Sequence, residues 1–270
     1  MIWFLLACGP STQEIQGTGT CAWNQAYQER DRAQADSLEE IIAGAEDCYV
    51  LVDPFDTDTK DQVAAAIPEI QAQNNEVGCY ISIGTCEDWR ADYAQMSPFC
   101  IDTEWDAWEG EFFVSDTEGI LEPMGARIES AAALGCDWVE FDNMDWAQDD
   151  ASREELGFGV SAEQGAAYAE QVCQLTHQAG MKCMAKSTTY GSSSADSAIY
   201  DGGTFESFPT DMDWWTHSEL QALLDADKLG LVIHYQEWNC EATADSYRSS
   251  YDSSLSFLCE DRRIDAYRRL

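Results

Sequence analysis

Short apolar runs rich in β-branched residues alternate with longer amphipathic stretches along most of the chain. The runs that predict strands are Tyr49–Pro54, Val77–Ile83, Asp137–Phe141, Lys182–Ala185, Thr204–Phe208 and Leu229–Tyr235. The stretches with helical spacing are Ser37–Gly44, Thr59–Asn74, Gly119–Ala133, Ala162–Ala179, His217–Ala226 and Ala242–Leu258. This alternation is typical of a parallel sheet covered by helices.

The number of predicted β/α units comes close to eight. A weaker strand around Thr20–Ala26 would open the sheet, and another around Arg263–Tyr267 would close it. We therefore predict an α/β fold, a single-domain (β/α)8 TIM barrel over residues 21–270, with an abbreviated last strand because the sequence stops at Leu270. The alternative is a doubly wound open sheet, but no G-x-G-x-x-G motif follows any predicted strand.

The N-terminal residues do not read as part of the barrel. Residues 1–8 form an apolar segment ending in Leu5-Leu6-Ala7-Cys8, which resembles a bacterial lipoprotein signal with Cys8 as the lipid-attachment residue. The run is too short to span a bilayer, so we expect membrane contact only through a lipid on Cys8. It also lacks a cationic n-region, which leaves an accidental match as the alternative. Residues 9–20 are polar and predict a tether.

The cysteine content indicates an exported protein. The chain has 11 Cys without a C-x-x-C, C-x-x-H or H-E-x-x-H spacing, which favours disulfides over a zinc site. If Cys8 carries lipid, ten cysteines remain, at positions 21, 48, 79, 86, 100, 136, 173, 183, 240 and 259. They allow up to five bridges whose pairing the sequence leaves open. We expect an extracytoplasmic protein, secreted or lipid-anchored at the bacterial cell surface.

Composition and charge narrow the range of partners. With 45% hydrophobic and 11% aromatic residues over 270 positions, the chain can bury a large core and is not disordered. The net charge of −37 repels phosphate backbones, so nucleic acid is excluded as a partner. The charge itself has three explanations: salty surroundings, solubility, or attraction of a polycationic substrate.

Polar and ionisable residues recur where the predicted strands end. They are Asp53, Asp56, Ser82, Glu87, Trp89, Arg90, Glu140, Asp142, Asn143, Asp145, Lys186, Glu206, His234, Tyr235 and Glu237. One acid at a strand end is usually a helix N-cap, and that reading stays open for Asp56 and Asp145. Six strand ends with this pattern predict a site at the upper face of the barrel. Glu140 and Asp142 share one side of their strand, with Asp142 nearer the mouth, so Asp142 is the better reagent and Glu140 the better supporting acid.

The available side chains favour glycoside hydrolysis. The sequence has no G-x-S-x-G elbow, phosphate loop or metal motif, and its 3 His are scattered, with His177 expected to be an ordinary surface residue. We expect no cofactor and no metal. Carboxylates supply acid and nucleophile or base for glycosidic cleavage, and aromatic rings stack on sugars. The candidate aromatics, each with core packing as the alternative, are Trp89, Trp146, Trp214, Trp215 and Trp238.

Several segments together resemble one known family. They are Tyr49-Val-Leu-Val-Asp-Pro-Phe-Asp56, Val77-Gly-Cys-Tyr-Ile-Ser-Ile-Gly84 followed by Glu87-Asp-Trp-Arg90, Gly135-Cys-Asp-Trp-Val-Glu-Phe-Asp-Asn-Met-Asp145 and Phe205-Glu-Ser-Phe208. In this order the chain resembles glycoside hydrolase family 114, which contains endo-α-1,4-polygalactosaminidases on a TIM barrel. The resemblance runs from about Cys21 to Tyr235.

The resemblance implies which residues do the chemistry. The family's Asp on the fourth strand and Glu on the sixth carry onto Asp142, with Glu140 as the alternative, and Glu206. Lys186 falls where related sequences have Lys-Asn, but Ser187 replaces the Asn here. The residues expected to bind substrate are Asp53, Tyr80, Ser82, Trp89, Arg90, Glu140, Asn143, Asp145, Lys186 and Tyr235.

The sequence therefore predicts an endo-acting hydrolase of α-1,4-linked, galactosamine-containing, cationic exopolysaccharide, and we expect a monomer. Asp and Glu side chains with exposed Trp suit an ammonium sugar. Two alternatives stay open: a non-catalytic carbohydrate-binding lipoprotein on the same fold, and a hydrolase of a different glycan. A polysaccharide deacetylase is disfavoured, because the metal-ligating His and Asp spacing is missing.

Overall fold

The computed structural model describes residues 21–27, 36–105, 108–148, 160–186, 199–207, 217–235, 239–251, 255–261 and 266–270. In chain order the strands are β1 (Ala22–Asn24), β2 (Tyr49–Val52), β3 (Glu76–Ser82), β4 (Thr85–Glu87), β5 (Cys100–Glu104), β6 (Glu111–Val114), β7 (Trp138–Asp142), β8 (Lys182–Ala185), β9 (Gly202–Ser207), β10 (Leu229–His234), β11 (Ser256–Asp261) and β12 (Ala266–Arg269). The helices are α1 (Leu38–Gly44), α2 (Lys60–Gln71), α3 (Tyr93–Met96), α4 (Leu121–Leu134), α5 (Ala162–Gln178), α6 (His217–Asp225) and α7 (Cys240–Ser250), with 3₁₀ turns at Ser97–Phe99 and Asp145–Gln148.

The main sheet is a nearly closed barrel, which confirms the predicted (β/α)8 class. Among the described residues its strand order is β1-β2-β3-β7-β8-β9-β10-β11-β12, and all neighbours are parallel except the antiparallel pair β11 and β12. Strand β12 approaches β1, where the Arg269 guanidinium lies 3.2 Å from the Trp23 ring centre and pairs with Asp36. The cation and the ring thus bridge the place where the parallel barrel ends.

Local sequence explains the helix starts. Ser37 caps α1 in a capping box with Glu40, and Ser161 caps α5 in the same way with Gln164. No helix in the described part of the chain is long and apolar enough to cross a membrane.

Two features differ from the sequence prediction. The first is at the C-terminal end of the barrel. There the helix expected over Ala242–Leu258 ends at Ser250, and the eighth parallel strand is β11, upstream of the closing strand expected around Arg263–Tyr267. The serine-rich break after α7 favours a turn, and the apolar run from Leu255 to Cys259 is buried as a strand. The second difference is a small antiparallel sheet of β4, β6 and β5, inserted between β3 and α4.

The ten cysteines from Cys21 onward form disulfides, as the cysteine count predicts. The pairs are Cys21–Cys48, Cys79–Cys136, Cys86–Cys100, Cys173–Cys183 and Cys240–Cys259. Cys86–Cys100 links two strands of the inserted sheet, and Cys240–Cys259 joins α7 to β11.

The barrel interior holds a cluster separate from the larger core between the sheet and the helices. Its members are Ala22, Tyr49, Leu51, Trp138, Met184, Leu231, Ile233 and Leu258. Because side chains alternate along a strand, Glu140 and Asp142 lie on the same face of β7 as Trp138. The interior is therefore apolar in its lower part and acidic toward the carboxyl end of β7.

Candidate active site

Two carboxylates meet one ammonium at the carboxyl ends of the middle strands. Asp142 ends β7, Lys186 follows β8 and Glu206 lies in β9. Lys186 Nζ lies 2.9 Å from Asp142 Oδ2 and 3.1 Å from Glu206 Oε2. All three side chains are largely buried, with 7% of Asp142, 8% of Lys186 and 11% of Glu206 exposed. Parallel strands bring these residues together, because their ends share one edge of the sheet.

Hydroxyl and amide donors fix both carboxylates. Tyr80 donates its hydroxyl to Asp142 Oδ2 at 2.8 Å, and the backbone N–H of Asn143 donates to Asp142 Oδ1 at 2.8 Å. Tyr235 donates its hydroxyl to Glu206 Oε1 at 2.6 Å. Donors of this kind stabilise the charged form of a carboxylate and restrict its orientation.

A third carboxylate lies below the pair. Glu140 is fully buried and accepts hydrogen bonds from the hydroxyls of Tyr27 and Thr204. Burial raises the pKa of Glu140 to about 7, although Lys186 opposes that rise. Lys186 Nζ also lies 4.9 Å from the centre of the Tyr27 ring. We call Asp142, Glu206, Glu140 and Lys186 the lysine cluster.

The charges of the lysine cluster act strongly on one another. Burial raises the pKa of Asp142, Lys186 lowers it and the carboxylate of Glu206 raises it further. Burial lowers the pKa of Lys186, but the Asp142, Glu206 and Glu140 carboxylates outweigh burial and raise it. The lysine is therefore a fixed cation at neutral pH, and the cluster is net acidic.

The spacing of the two acids bears on the chemistry they can perform. Since Nζ lies 2.9 Å from one oxygen and 3.1 Å from the other, these oxygens of Asp142 and Glu206 are at most about 6 Å apart. Retaining glycosidases place their two carboxyls about 5–5.5 Å apart and inverting ones about 6.5–9.5 Å apart. The spacing suits a nucleophile and an acid on one substrate.

A second group of charges binds the inserted sheet to the barrel. Arg90 Nη1 donates to both oxygens of Asp53 at 2.7 Å, and Arg90 Nη2 donates to Glu87 at 2.7 Å. Arg127 on α4 pairs with Asp92 at 2.8 Å and with Glu87 at 3.5 Å. We call Asp53, Glu87, Arg90, Asp92 and Arg127 the arginine network. Asp53 and Arg90, both expected to bind substrate, thus pair with each other.

The remaining expected residues have varied surroundings. Ser82 is buried beside Asn143, with 3.1 Å between Ser82 Oγ and Asn143 Nδ2. Trp89 is half-buried and its carbonyl accepts the Thr57 hydroxyl at 2.5 Å, whereas Trp146 is buried and donates to the Gly84 carbonyl. Cys8, Ser187, Trp214, Trp215, Glu237 and Trp238 lie outside the described residues, as does the side chain of Asp145.

Asp56 and His177 have partners away from the lysine cluster. Asp56 accepts the backbone N–H groups of Asp58 and Thr59 in the turn before α2, whereas the N-cap of that helix is Thr59, so Asp56 is not the helix N-cap. His177 pairs with Asp201 at 2.8 Å on the surface of α5. It also lies beside Cys173 and Cys183, but a disulfide joins these two sulfurs, so they are not thiolate ligands for a metal.

Sequence reasoning missed several residues around the site. They are Tyr27, Thr85, Glu111, Arg127 and Thr204. Thr204 carries a period-two signal, because it lies two residues before Glu206 on β9 and faces the same interior. Tyr27 and Glu111 come from loop and insertion segments without such a signal.

Comparison with known proteins places the chain among glycoside hydrolases. Residues 19–270 match the model of glycoside-hydrolase family GH114. No curated protein matches the chain. The glycoside hydrolase domain of PelA from Pseudomonas aeruginosa is similar in structure, with a TM-score of 0.62, 17% identity, and coverage of 93% of this chain and 97% of that chain. Ega3 from Aspergillus fumigatus, solved in complex with galactosamine, has a TM-score of 0.59, 16% identity, and coverage of 94% of this chain and 96% of that chain.

The similarity to PelA and Ega3 is one of fold. The family model matches the sequence of the whole barrel, including the strand ends that carry Asp142, Lys186 and Glu206. The chain belongs to glycoside-hydrolase family GH114 and is a glycoside hydrolase.

Proposed function

We propose that the protein is an endo-acting hydrolase of α-1,4-linked, galactosamine-containing, cationic exopolysaccharide. The observation that carries the proposal is the Asp142 and Glu206 pair on either side of Lys186, at the carboxyl end of the barrel. Two carboxyls at this spacing are what glycosidic cleavage requires.

We assign Asp142 as the nucleophile and Glu206 as the general acid. Asp142 is the more buried of the two and receives donors from Lys186, Tyr80 and the Asn143 amide, which stabilise its anionic form. Glu206 is more exposed, which suits proton exchange with water at the mouth.

The reaction would proceed in two displacements. Asp142 attacks the anomeric carbon while Glu206 gives its proton to the glycosidic oxygen, so that the bond to the leaving sugar breaks and a glycosyl-enzyme ester forms. Glu206 then takes a proton from water, which attacks the same carbon and releases Asp142. The limit of about 6 Å between Asp142 Oδ2 and Glu206 Oε2, the two oxygens that contact Lys186, supports this retaining course.

Charge supports an ammonium sugar as the substrate. The lysine cluster has three carboxylates for one ammonium, and the whole chain carries a net charge of −37. Such a field concentrates cations at the site. The galactosamine bound to Ega3 shows that this fold accommodates the sugar in that protein, which adds support.

The expected binding residues divide by exposure. Tyr80, Trp89, Asn143 and Tyr235 are half-buried, and we assign them to contact with the sugar at the mouth. Ser82, Glu140 and Lys186 are buried, and we assign them to holding the reacting groups in place, whereas the buried pair of Asp53 and Arg90 joins the inserted sheet to the barrel.

We also propose export, with the barrel formed by residues 21–270 acting as a monomer. The five disulfides among the described residues support an oxidising compartment. Lipid attachment at Cys8, with residues 1–8 as signal and residues 9–20 as tether, stays a prediction from the sequence.

The test is release of reducing ends from purified, partly deacetylated α-1,4-galactosamine polymer. Wild type is compared with Asp142→Asn and Glu206→Gln, and exposed Asp102→Asn and Glu69→Gln are the matched controls. We expect both site variants to lose at least about 1000-fold in kcat with an unchanged melting temperature, and both controls to keep full activity.

Other outcomes would redirect the proposal. Binding of the polymer without cleavage by wild type would support the carbohydrate-binding lipoprotein instead. Cleavage of another glycan but not of galactosamine polymer would overturn the substrate assignment alone. A first product with the inverted anomeric configuration by NMR would overturn the retaining course.

A further inference from the structure

A buried carboxyl group from the inserted sheet lies next to Asp142 and has no part in the proposed reaction. Glu111 begins β6 and is 5% exposed. Its Oε2 accepts the Thr85 hydroxyl at 2.6 Å and lies 3.4 Å from Asn143 Nδ2. Ser82 Oγ completes the group at 2.5 Å from Thr85 Oγ1 and 3.1 Å from Asn143 Nδ2. Burial of polar side chains such as Glu111, Thr85 and Ser82 is costly unless each has a partner, and here each one does.

Ser82 and Glu111 both contact Asn143, the residue whose backbone binds Asp142. Asn143 follows Asp142 and donates its backbone N–H to Asp142 Oδ1 at 2.8 Å. Its φ of 64° lies in the left-handed region, which is unfavourable for any residue but glycine, although Asn tolerates it best. Side-chain contacts to the Asn143 amide therefore stabilise the backbone geometry that points its N–H at Asp142.

The backbone of Asn143 also packs closely against the backbone of Gly84. A Cβ on Gly84 would lie 1.5 Å from the Asn143 carbonyl oxygen, so the two chain segments touch through their backbones. Asn143 is thus held from below by Gly84 and through its side chain by Ser82 and Glu111. The Asn143 peptide would therefore move more readily after loss of its side-chain contacts with Ser82 and Glu111 than through a shift of the whole turn.

The charge state of Glu111 matters to Asp142. Burial and the Glu87 carboxylate raise the pKa of Glu111 to about 8, with a smaller rise from Asp142 and opposition from the Thr85 hydroxyl and Arg90. The group is therefore neutral at pH 7. Ionisation above pH 8 would place a second negative charge beside the nucleophile.

We propose that Glu111 is a positioning residue for Asp142 that acts through the side chain and backbone of Asn143. The inference rests on the proposed role of Asp142 as the nucleophile. It gives the inserted sheet a part in orienting the nucleophile through Asn143, in addition to its contacts with the barrel.

The test compares two substitutions of one residue. Glu111→Gln keeps the size, the neutral charge and an oxygen acceptor, whereas Glu111→Leu removes all polar contact. Asp102→Asn on β5 is the control, because Asp102 is exposed on the same sheet. We expect Glu111→Leu to lower kcat about 10- to 100-fold with little change in KM, and Glu111→Gln to stay within about threefold of wild type. We also expect wild-type kcat to decline above about pH 8, and Glu111→Gln to lack that component.

A readout without substrate separates this inference from the proposed function. The Asn143 amide is followed by ¹⁵N NMR while the pH is changed, since its hydrogen bond to Asp142 makes its chemical shift report on that carboxyl. We expect Glu111→Leu to shift or broaden this signal, and Glu111→Gln and Asp102→Asn to leave it near its wild-type position. If wild type cleaves no galactosamine polymer but the signal behaves in this way, the positioning role stands and only the activity falls.

Three results would overturn the inference. One is an unchanged Asn143 amide in folded Glu111→Leu. Another is equal loss of kcat in Glu111→Gln and Glu111→Leu, since Gln keeps the oxygen acceptor through which residue 111 contacts Asn143. If Glu111→Leu fails to fold, Glu111→Gln decides alone, and an alkaline limb of kcat identical to that of wild type would overturn the inference.

Discussion

The lysine cluster and the arginine network lie at the same end of the barrel, yet they hold their charges differently. In the arginine network, two guanidinium groups bind three carboxylates. Arg90 contacts two of them, Asp53 through Nη1 and Glu87 through Nη2. Guanidinium is a planar fork that fixes carboxylates in defined orientations. These contacts span β2, the inserted sheet and α4, so the network acts as a structural joint.

The lysine cluster has the opposite character. A single ammonium faces three carboxylates, and further hydrogen bonds come from the backbone N–H of Asn143 and from the hydroxyls of Tyr27, Tyr80, Thr204 and Tyr235. Ammonium is a point charge on a flexible stem, so Asp142 and Glu206 can change protonation and partner without breaking a rigid fork. The comparison teaches that burial of charge alone does not distinguish the proposed active site, whereas an excess of carboxylates around one lysine does.

The strongest test of this distinction is Lys186→Met. Removal of the ammonium takes away the group that lowers the pKa of Asp142, so the nucleophile should become anionic only at higher pH. We expect kcat to fall about 1000-fold at neutral pH and the acid limb of the pH profile to move upward. Lys182→Met is the control, since Lys182 begins β8, the strand that Lys186 follows, but binds Glu76 on the surface. An unchanged acid limb in Lys186→Met would break the comparison.

Arg90→Met tests the other half. It leaves Asp53 and Glu87 buried without their shared cation, and breaking a buried ion pair in this way costs about 3–5 kcal/mol. We expect a lower free energy of unfolding in urea, while the folded fraction keeps a pH profile like that of wild type. Lys60→Met on the surface of α2 should leave stability nearly unchanged. A shifted pH profile in folded Arg90→Met would place Arg90 in the reaction and erase the division of roles.

Glu140→Gln tests how much the buried carboxyl of Glu140 contributes to the pH dependence of stability. Burial raises the pKa of Glu140 from 4.5 to about 7, so the unfolded chain loses this proton first as the pH rises. The folded state is therefore favoured below pH 4.5, and that contribution is lost as the pH rises to about 7. At 1.36 kcal/mol per pKa unit, the loss is about 3 kcal/mol for a fully buried group.

The measurement is the free energy of unfolding at pH 4.5 and at pH 7.5. We expect the decline between them to be smaller in Glu140→Gln than in wild type, and exposed Glu69→Gln to follow wild type. An equal decline in Glu140→Gln and wild type would mean that Glu140 is already ionised on Lys186 in the folded state.

Strand periodicity explains how much of the lysine cluster the sequence could predict. Glu140 and Asp142 share a face because side chains alternate, and the carboxyl ends of parallel strands share an edge, so Asp142, Lys186 and Glu206 were expected together. The same reasoning placed Asp53 and Arg90 near the substrate. It could not reveal that the two pair with each other, because that contact depends on how the inserted sheet folds back on β2.

The rest depends on contacts that no local pattern encodes. Strands β4, β5 and β6 are short, and their pairing is non-local and supported by the Cys86–Cys100 disulfide, so no periodicity indicated them. Tyr27 reaches Glu140 from a loop far away in the sequence. The predicted helix end at Leu258 was wrong, because a short apolar run such as Leu255 to Cys259 fits a helix or a buried strand equally well by periodicity alone.

Tyr80→Phe makes the smallest change within the lysine cluster. It removes one hydroxyl donor to Asp142 Oδ2 and leaves the Lys186 ammonium and the Asn143 amide in place. Because the Tyr80 hydrogen bond lowers the pKa of Asp142, its loss should move the acid limb of kcat upward, by less than Lys186→Met does. One hydrogen bond to a charged group is worth about 1.5–3 kcal/mol, which sets an expected loss of kcat of about 10- to 100-fold. Tyr93→Phe on α3 removes a hydroxyl outside the lysine cluster and should leave kcat unchanged. If Tyr80→Phe instead raises KM and keeps both kcat and the acid limb, Tyr80 serves only to contact the sugar and does not tune the nucleophile, whose hydrogen bonds from Lys186 and the Asn143 amide then suffice.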